Sequence, residues 1–102
     1  MNIPYGGAMV SKRVSLEREK VRFMYREKPR GKRDSGWVFF SGTEDQAYAD
    51  DPSNFVICAL TTVAEIDPDV AGYLDLPPPC AFERERDDQP FRESVGFRFE
   101  PE

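Results

Sequence analysis

The 102-residue sequence predicts an α+β fold, with a mostly antiparallel sheet of roughly five or six strands and two or three short helices. Two observations lead to this prediction. Apolar runs that are typical of strands dominate the first half of the chain, and short helix-start signals follow later. No internal repeat or low-complexity linker divides the sequence, so its length predicts one domain over residues 1–102.

The clearest strand signal lies at residues 20–27. Val21, Phe23 and Tyr25 alternate there with arginines, and only Met24 interrupts the polar positions. This period of two predicts a half-buried strand whose buried face carries those three apolar side chains.

The other predicted strands cover residues 8–14, 37–41, 55–60, 80–85 and 95–99. The strand at 37–41 begins with four apolar residues in succession, which predicts a central strand that is buried on both faces. The strand at 55–60 is apolar throughout and is predicted to be buried as well.

Three helices are predicted from their start signals. Thr43 with Gln46 and Thr62 with Glu65 each fit a capping box, in which two side chains satisfy backbone N–H groups at the helix start. The aspartate–proline pair at 67–68 offers a cap followed by proline at the first helical position. The predicted helical segments are 44–49, 62–66 and 69–74.

Charge is distributed unevenly along the chain. Residues 1–42 hold ten Lys and Arg against four Asp and Glu, whereas residues 43–102 hold four Arg against fifteen Asp and Glu. From Thr43 to Glu83 there are nine carboxylates and no Lys or Arg. If several of these acids share a surface, their field would attract a basic partner and accelerate its association. The alternative is that they serve only solubility.

The composition excludes several kinds of chemistry. The absence of histidine removes histidine-dependent nucleophiles, imidazole acid–base catalysis and histidine-ligated metals. Cys58 and Cys80 form no close sequence pair, so we predict structural thiols. Asp67 and Asp69 could hold a divalent cation, but a helix cap followed by a first-turn acid is the simpler interpretation. We therefore predict a protein that is not an enzyme and binds no metal or cofactor.

A basic segment at residues 28–33 supports an alternative function. Its cations are Lys28, Arg30, Lys32 and Arg33. They could contact phosphates while Tyr25 or Trp37 stacks on bases. Against this, the net charge is −5, and a nucleic-acid footprint is usually basic over a whole domain. The alternative is thus a regulatory or adaptor domain that binds a household protein or nucleic acid through this segment, and otherwise the segment is a solvated loop.

The sequence also predicts a cytoplasmic protein without membrane contact. The first residues lack the apolar stretch and the preceding positive charge of a signal peptide. The longest apolar run, six residues from Phe55, is far too short to span a bilayer. Unpaired thiols agree with a reducing compartment.

Seven short motifs follow one another along the chain: AMVSKRV at 8–14, FMYRE at 23–27, DSGWVFFSG at 34–42, EDQAY at 44–48, TTVA at 61–64, DPDV at 67–70 and AFER at 81–84. In order and spacing they resemble the immunity-protein-33-like domain family, a bacterial family formerly catalogued as a domain of unknown function. The resemblance covers about residues 7–86 and leaves 87–102 as a C-terminal extension. Thr43 departs from an expected acidic residue, and Pro79-Cys80 from a small Gly-Ser-like pair.

The resemblance implies a small cytoplasmic protein that binds and neutralises a toxin domain and has no catalytic residues. For a toxin with a basic surface we predict contacts from four acids at the start of the acidic segment, namely Glu44, Asp45, Asp50 and Asp51. Trp37 is a further candidate as an aromatic anchor, because Trp is enriched at binding hot spots. Its apolar neighbours nevertheless favour a place in the core. The oligomeric state stays open.

Overall fold

A computed structural model of the chain describes residues 6–97. The strands are β1 (Gly7–Ser11), β2 (Phe23–Arg26), β3 (Asp34–Phe40), β4 (Phe55–Ala59), β5 (Cys80–Glu83) and β6 (Arg92–Glu93). The α-helices are α1 (Lys12–Ser15), α2 (Gln46–Ala49) and α3 (Leu60–Ile66), and 3-10 helices cover Pro52–Asn54 and Pro68–Tyr73. All six strands belong to one sheet, in the order β4-β1-β3-β2-β5-β6.

The sheet is mixed, with one parallel pairing between β1 and β3. The other four pairings are antiparallel, so the predicted α+β class with a mostly antiparallel sheet is confirmed. The parallel pair follows from the path of the chain. Strand β2 runs opposite to β1, and the hairpin between β2 and β3 reverses the direction of the chain again. Strand β3 therefore runs in the direction of β1 and pairs with it on the side away from β2.

The hydrophobic core lies on one side of this sheet, beneath α1, α3 and the second 3-10 helix. The strands contribute Ala8, Val10, Met24, Trp37 and Phe39, and the helices contribute Val14, Leu60, Val63, Ile66 and Val70. Trp37 is 1% exposed, and its indole Nε1 donates to the Leu74 carbonyl at 3.0 Å. Trp37 is therefore a core residue, as its neighbours favoured, and the prediction that it anchors a partner at the surface is wrong.

The predicted faces of β2 are reversed. Met24 is fully buried and pairs with Phe39 on one side and Phe82 on the other, whereas Phe23 and Tyr25 are half-buried on the opposite face. The alternation did not identify the core face, because Met24 on one face and Phe23 and Tyr25 on the other are all apolar. Arg26, read as a solvent-facing residue, donates to the Ser35 and Leu76 carbonyls at 2.8 Å.

Several predicted element boundaries also differ. The strand predicted at 8–14 ends at Ser11, whose hydroxyl accepts a hydrogen bond from the Arg13 N–H and begins α1. The strand at 55–60 is an edge strand, not a buried one, because β1 is its only neighbour among the described strands, and Ile57 is 73% exposed. The strand predicted at 95–99 is wrong for its described part: residues 95–96 form a turn, and residues 98–99 lie outside the described residues.

The predicted capping boxes are wrong as well. Asp45, not Thr43, caps α2, because its carboxylate accepts from the Tyr48 N–H at 2.8 Å. Helix α3 starts at Leu60 without a side-chain cap, which places Thr62 inside its first turn. The cap at Asp67 is confirmed, although the segment that it begins is a 3-10 helix.

A buried ion pair joins distant parts of the chain. The Arg84 Nη2 lies 2.7 Å from the Asp67 carboxylate, and these side chains are 1% and 0% exposed. The same carboxylate accepts from the Val21 N–H, and the Arg84 Nε donates to the Val21 carbonyl. The Arg84 Nη1 reaches the exposed carboxylate of Asp69 at 2.8 Å. Residues 21, 67 and 84 are thereby fixed against one another although they lie in three separate segments.

We predict that Arg84→Ala destabilises the protein by about 3–5 kcal/mol, because the Asp67 charge would stay buried without its partner. The measurement is the free energy of unfolding from urea titration. Arg86→Ala is the matched control, since the Arg86–Asp88 pair is exposed on both sides, and it should cost less than about 1 kcal/mol. Equal losses in the two variants would contradict the assignment of a structural role to Arg84.

Candidate partner-binding face

The side of the sheet opposite the core carries a cluster of aromatic rings, and we call this side the outer face. Ring centroids lie 5.6 Å apart for Phe23 and Phe40, 6.2 Å for Tyr25 and Phe40, and 5.5 Å for Phe40 and Phe55. Phe97 packs on this cluster, 4.8 Å from the ring of Tyr25. The four strand residues reach the same face because alternate side chains of a strand point to the same side.

Aliphatic side chains extend the outer face towards the edge of the sheet. Met9 pairs with Val38 on one side and with Ile57 on the other, and Val38 pairs with Tyr25. This row therefore crosses four strands. Met9 is 43% exposed and Ile57 is 73% exposed. Val38, between Met9 and Tyr25, is only 9% exposed. Exposed apolar side chains that are grouped on one face are typical of an interaction site.

The outer face forms an open groove of about 1150 Å³ between two charged ends. The loop before β3 supplies the basic end, with Lys28, Arg30, Lys32 and Arg33. The segment after β3 supplies the acidic end. Glu44, Asp45 and Asp50 of this end line the groove, and Asp51 follows Asp50 directly in the sequence. Because β3 has seven residues, the two ends lie roughly 20 Å apart. Residues from the basic and the acidic parts of the sequence thus lie on the same surface, at its opposite ends.

Glu44 is held inside the turn that follows β3. Its carboxylate accepts from the backbone N–H groups of Ser41 and Gly42, each at 2.9 Å, and from the Ser41 hydroxyl. Burial raises the pKa of Glu44, but hydrogen bonds from Ser11, Ser41 and the backbone outweigh it, and the net pKa is lowered. Glu44 therefore remains ionised at neutral pH, although its oxygens are occupied by the protein itself.

The other three predicted acids are exposed and have local partners. Asp45 caps α2. Asp50 accepts from the Gln46 side-chain amide at 2.7 Å. Asp51 accepts from the Ser53 N–H and hydroxyl at the start of the first 3-10 helix, and these bonds lower its pKa. All three lie at the surface, and the structure gathers them with Glu44 around α2.

Arg13 fixes this acidic end to the rest of the fold. Its Nη1 donates to the Thr43 carbonyl at 2.6 Å and to the Thr43 hydroxyl at 2.9 Å. The guanidinium also lies 4.5 Å from the ring centroid of Tyr48, within cation–π distance. One cation from the basic part of the sequence therefore positions the acidic segment.

The basic loop is shaped by Asp34, whose carboxylate accepts from the Arg30 and Gly36 N–H groups at 2.9 Å. The four loop cations are exposed. Within residues 6–97, no ion pair involves any of them. Their charge is available to a partner at this end of the groove.

The Cys, Asp and Glu residues of the described range can be examined for metal sites and reactive thiols. Across residues 6–97, no group of three or more His, Cys, Asp or Glu side chains could hold a metal ion. Cys58 and Cys80 are free thiols, and burial raises the pKa of both, so both are protonated at neutral pH. None of the helices in this range is long and apolar enough to cross a membrane. The arrangement is suited to binding through the outer face.

Sequence reasoning located the charged ends of the groove and missed its floor. Phe23 and Tyr25 form part of this floor, but the alternation of apolar residues predicts a buried face for them. Ile57 was likewise read as part of a buried strand. An apolar run alone does not distinguish a core face from an exposed one.

We predict that Glu44→Gln lowers stability at neutral pH and that the loss shrinks in acid. A carboxyl whose pKa is lowered by folding stabilises the native state above its unfolded pKa, near 4.5, and this stabilisation disappears as pH falls through the folded pKa. The measurement is the free energy of unfolding of both proteins between neutral pH and about pH 3. A difference that does not change with pH would contradict the role of the charged form.

Comparison with known proteins places the chain in a family. No curated protein and no solved structure matches it significantly. The family model for the immunity protein Imm33 domain matches residues 8–95, which is most of the chain and includes the whole sheet apart from Gly7. The chain therefore belongs to the family of Imm33 immunity protein domains.

Proposed function

We propose that this protein neutralises a bacterial toxin domain by binding it, without catalysis, and that the outer face of the sheet is the binding surface. The family match over residues 8–95 carries the proposal, because that family is described as an immunity protein domain. The groove supports it with the features of a protein interface, namely an aromatic centre within a charged rim.

The acidic end supports a toxin with a basic surface. Glu44, Asp45, Asp50 and Asp51 lie within eight residues of sequence around one short helix. Like charges that are grouped on one part of a surface add their fields over distances of about a Debye length, which is about 8 Å at physiological salt. Such a field accelerates encounter with a basic partner more than it strengthens the final complex.

The aromatic floor would supply most of the affinity. Rings that are already packed against one another lose little side-chain entropy on binding, and partly exposed aromatic surface gains from desolvation. Phe23, Phe40 and Phe55 are half-buried and held by their neighbours in the cluster. We place the complex in the cytoplasm, where an immunity protein would protect the producing cell.

The first experiment is affinity capture of the tagged full chain from its native cells, followed by mass spectrometry. A stoichiometric partner with a toxin-like C-terminal domain would support the proposal. Co-expression must then restore growth of cells that carry this toxin. Capture of a toxin whose toxicity is unaffected by co-expression would overturn neutralisation.

We predict that removing three surface charges at the acidic end slows association with such a toxin by about tenfold at low salt. The variant combines Asp45→Ser, Asp50→Asn and Asp51→Ser, because serine can still cap a helix. Glu44 is retained, since it holds the turn after β3. Association and dissociation rates are measured by stopped-flow or surface plasmon resonance at several salt concentrations.

The matched control combines Glu65→Gln, Asp75→Asn and Asp88→Asn, three exposed acids in other elements. It changes the net charge by the same amount and should leave the association rate near that of the wild type. Equal rates for the two triple variants would show that net charge, not the acidic end, governs encounter.

The exposed cations of the basic loop favour a second candidate, a regulatory or adaptor protein that binds nucleic acid or a household protein there. Fluorescence anisotropy with labelled single-stranded RNA and DNA at physiological salt tests its nucleic-acid form. Salt-dependent binding that Lys28→Glu with Arg30→Glu abolishes would support this candidate. Binding that these changes leave intact would exclude this loop.

A further inference from the structure

The two edges of the sheet differ in their protection. Edge strand β6 is two residues long, both residues are charged and exposed, and Pro90 lies shortly before it. Short length, charge and proline are the devices that prevent an edge strand from pairing with another chain. The opposite edge, β4, has five residues and contains neither charge nor proline. Features that prevent pairing with another chain are therefore present at the β6 edge and not at the β4 edge.

Strand β4 has one unpaired side among the described strands, and two of its apolar residues, Ile57 and Ala59, are exposed. It pairs with β1 along one side over five registered residues, and no other described strand lies beside it. Alternate residues of an edge strand direct their N–H and C=O groups away from the sheet. At its centre, Ile57 is 73% exposed. Such an uncharged edge strand, with unpaired N–H and C=O groups, can pair with a strand of another chain.

We propose that β4 pairs with β4 of a second copy of this chain, antiparallel and about a two-fold axis near Ile57. The two six-stranded sheets would join into one, with the outer faces of both copies on the same side. This inference does not depend on the toxin-binding function, because it concerns the isolated protein.

Charge selects the second copy and its direction. The Phe55 end of β4 directly follows the acidic segment, with Asp50 and Asp51 a few residues before it. The Ala59 end pairs with Gly7, whose N–H donates to the Arg33 carbonyl in the basic loop. Antiparallel pairing about a two-fold axis brings the acidic end of each copy towards the basic end of the other. Parallel pairing would bring acidic end to acidic end.

A second cation lies near the same edge. The charge of Arg18 acts on the Cys58 thiol, where it partly offsets the effect of burial on its pKa. In the antiparallel arrangement Cys58 would lie opposite Val56 of the other copy, which brings Arg18 towards the acidic end of that copy. Within residues 6–97, Arg18 forms no ion pair that this approach would have to break.

The arrangement also explains why assembly would stop at two copies. A two-fold contact uses the same strand of both partners and is closed. Among the described strands, the remaining edges of the joined sheet are the two β6 strands, which are short and charged. The protected β6 edges therefore remain at the two ends of the joined sheet, and the unprotected β4 edges pair with each other.

The test is the mass of the purified full chain, measured by light scattering and sedimentation equilibrium from about 1 to 300 µM, because a dimer responds to concentration by mass action. We expect a species of twice the 11.7 kDa chain mass that dissociates on dilution. Ile57→Lys places two ammonium groups near the axis and should raise the dimer dissociation constant at least about tenfold. The control is Val95→Lys, at a position that is 94% exposed and follows β6.

Thermal unfolding of both variants checks that each is folded. Hydrogen exchange of the unmodified protein gives a second readout, since the amides of residues 55–59 should gain protection as concentration rises and those of β6 should not. A chain that is monomeric over the whole concentration range overturns the proposal. A dimer that Ile57→Lys leaves as stable as Val95→Lys does also overturns it.

Discussion

The guanidinium of Arg84 is the group on which the arrangement of this fold depends. It is buried, so each of its donors requires an acceptor. The acceptors come from Val21, two residues before β2, from Asp67 at the start of the second 3-10 helix and from the loop after β5. The ring of Phe91 lies 4.3 Å from it. Because a buried charge without partners is costly, displacement of any of these segments would leave buried donors of Arg84 without acceptors.

Three of the described helices pack on the core side of the sheet, and the outer face on the other side is available for binding. Helices α1 and α3 and the second 3-10 helix bury their apolar residues against the core face, and none of these helices contributes to the rim of the groove. The outer face nevertheless carries aromatic residues where a solvated antiparallel sheet would carry polar ones. Packing of Phe23, Tyr25 and Phe40 on one another reduces the water-exposed area without removing it. An apolar face retained at this cost in solubility is best explained by a partner that covers it.

The sequence predicted the α+β class, five of the six strands in position and the cap at Asp67, because these depend on local patterns. It failed where the decisive contact is remote. The pairing of Asp67 with Arg84 spans 17 residues and follows no spacing rule. Thr43 satisfies the capping-box pattern, but its hydroxyl bonds with Ser41 and Arg13 instead. The faces of β2 were reversed for a related reason: period two identifies a strand, but which face is core is decided by the helices that fold over it.

The residues of the acidic end combine a structural role in the fold with the recognition role that we propose for them. Glu44 and Asp51 accept hydrogen bonds from serine hydroxyls and from backbone N–H groups, which lower the pKa of each carboxyl and keep each charged at neutral pH. An oxygen that already accepts internal bonds gives a weak direct contact, but its charge still contributes to the long-range field. Local capping therefore fixes the charge at the surface while limiting its role in the bound complex. It follows that the acids should govern how fast a basic partner arrives, and that the aromatic floor should govern how long it stays.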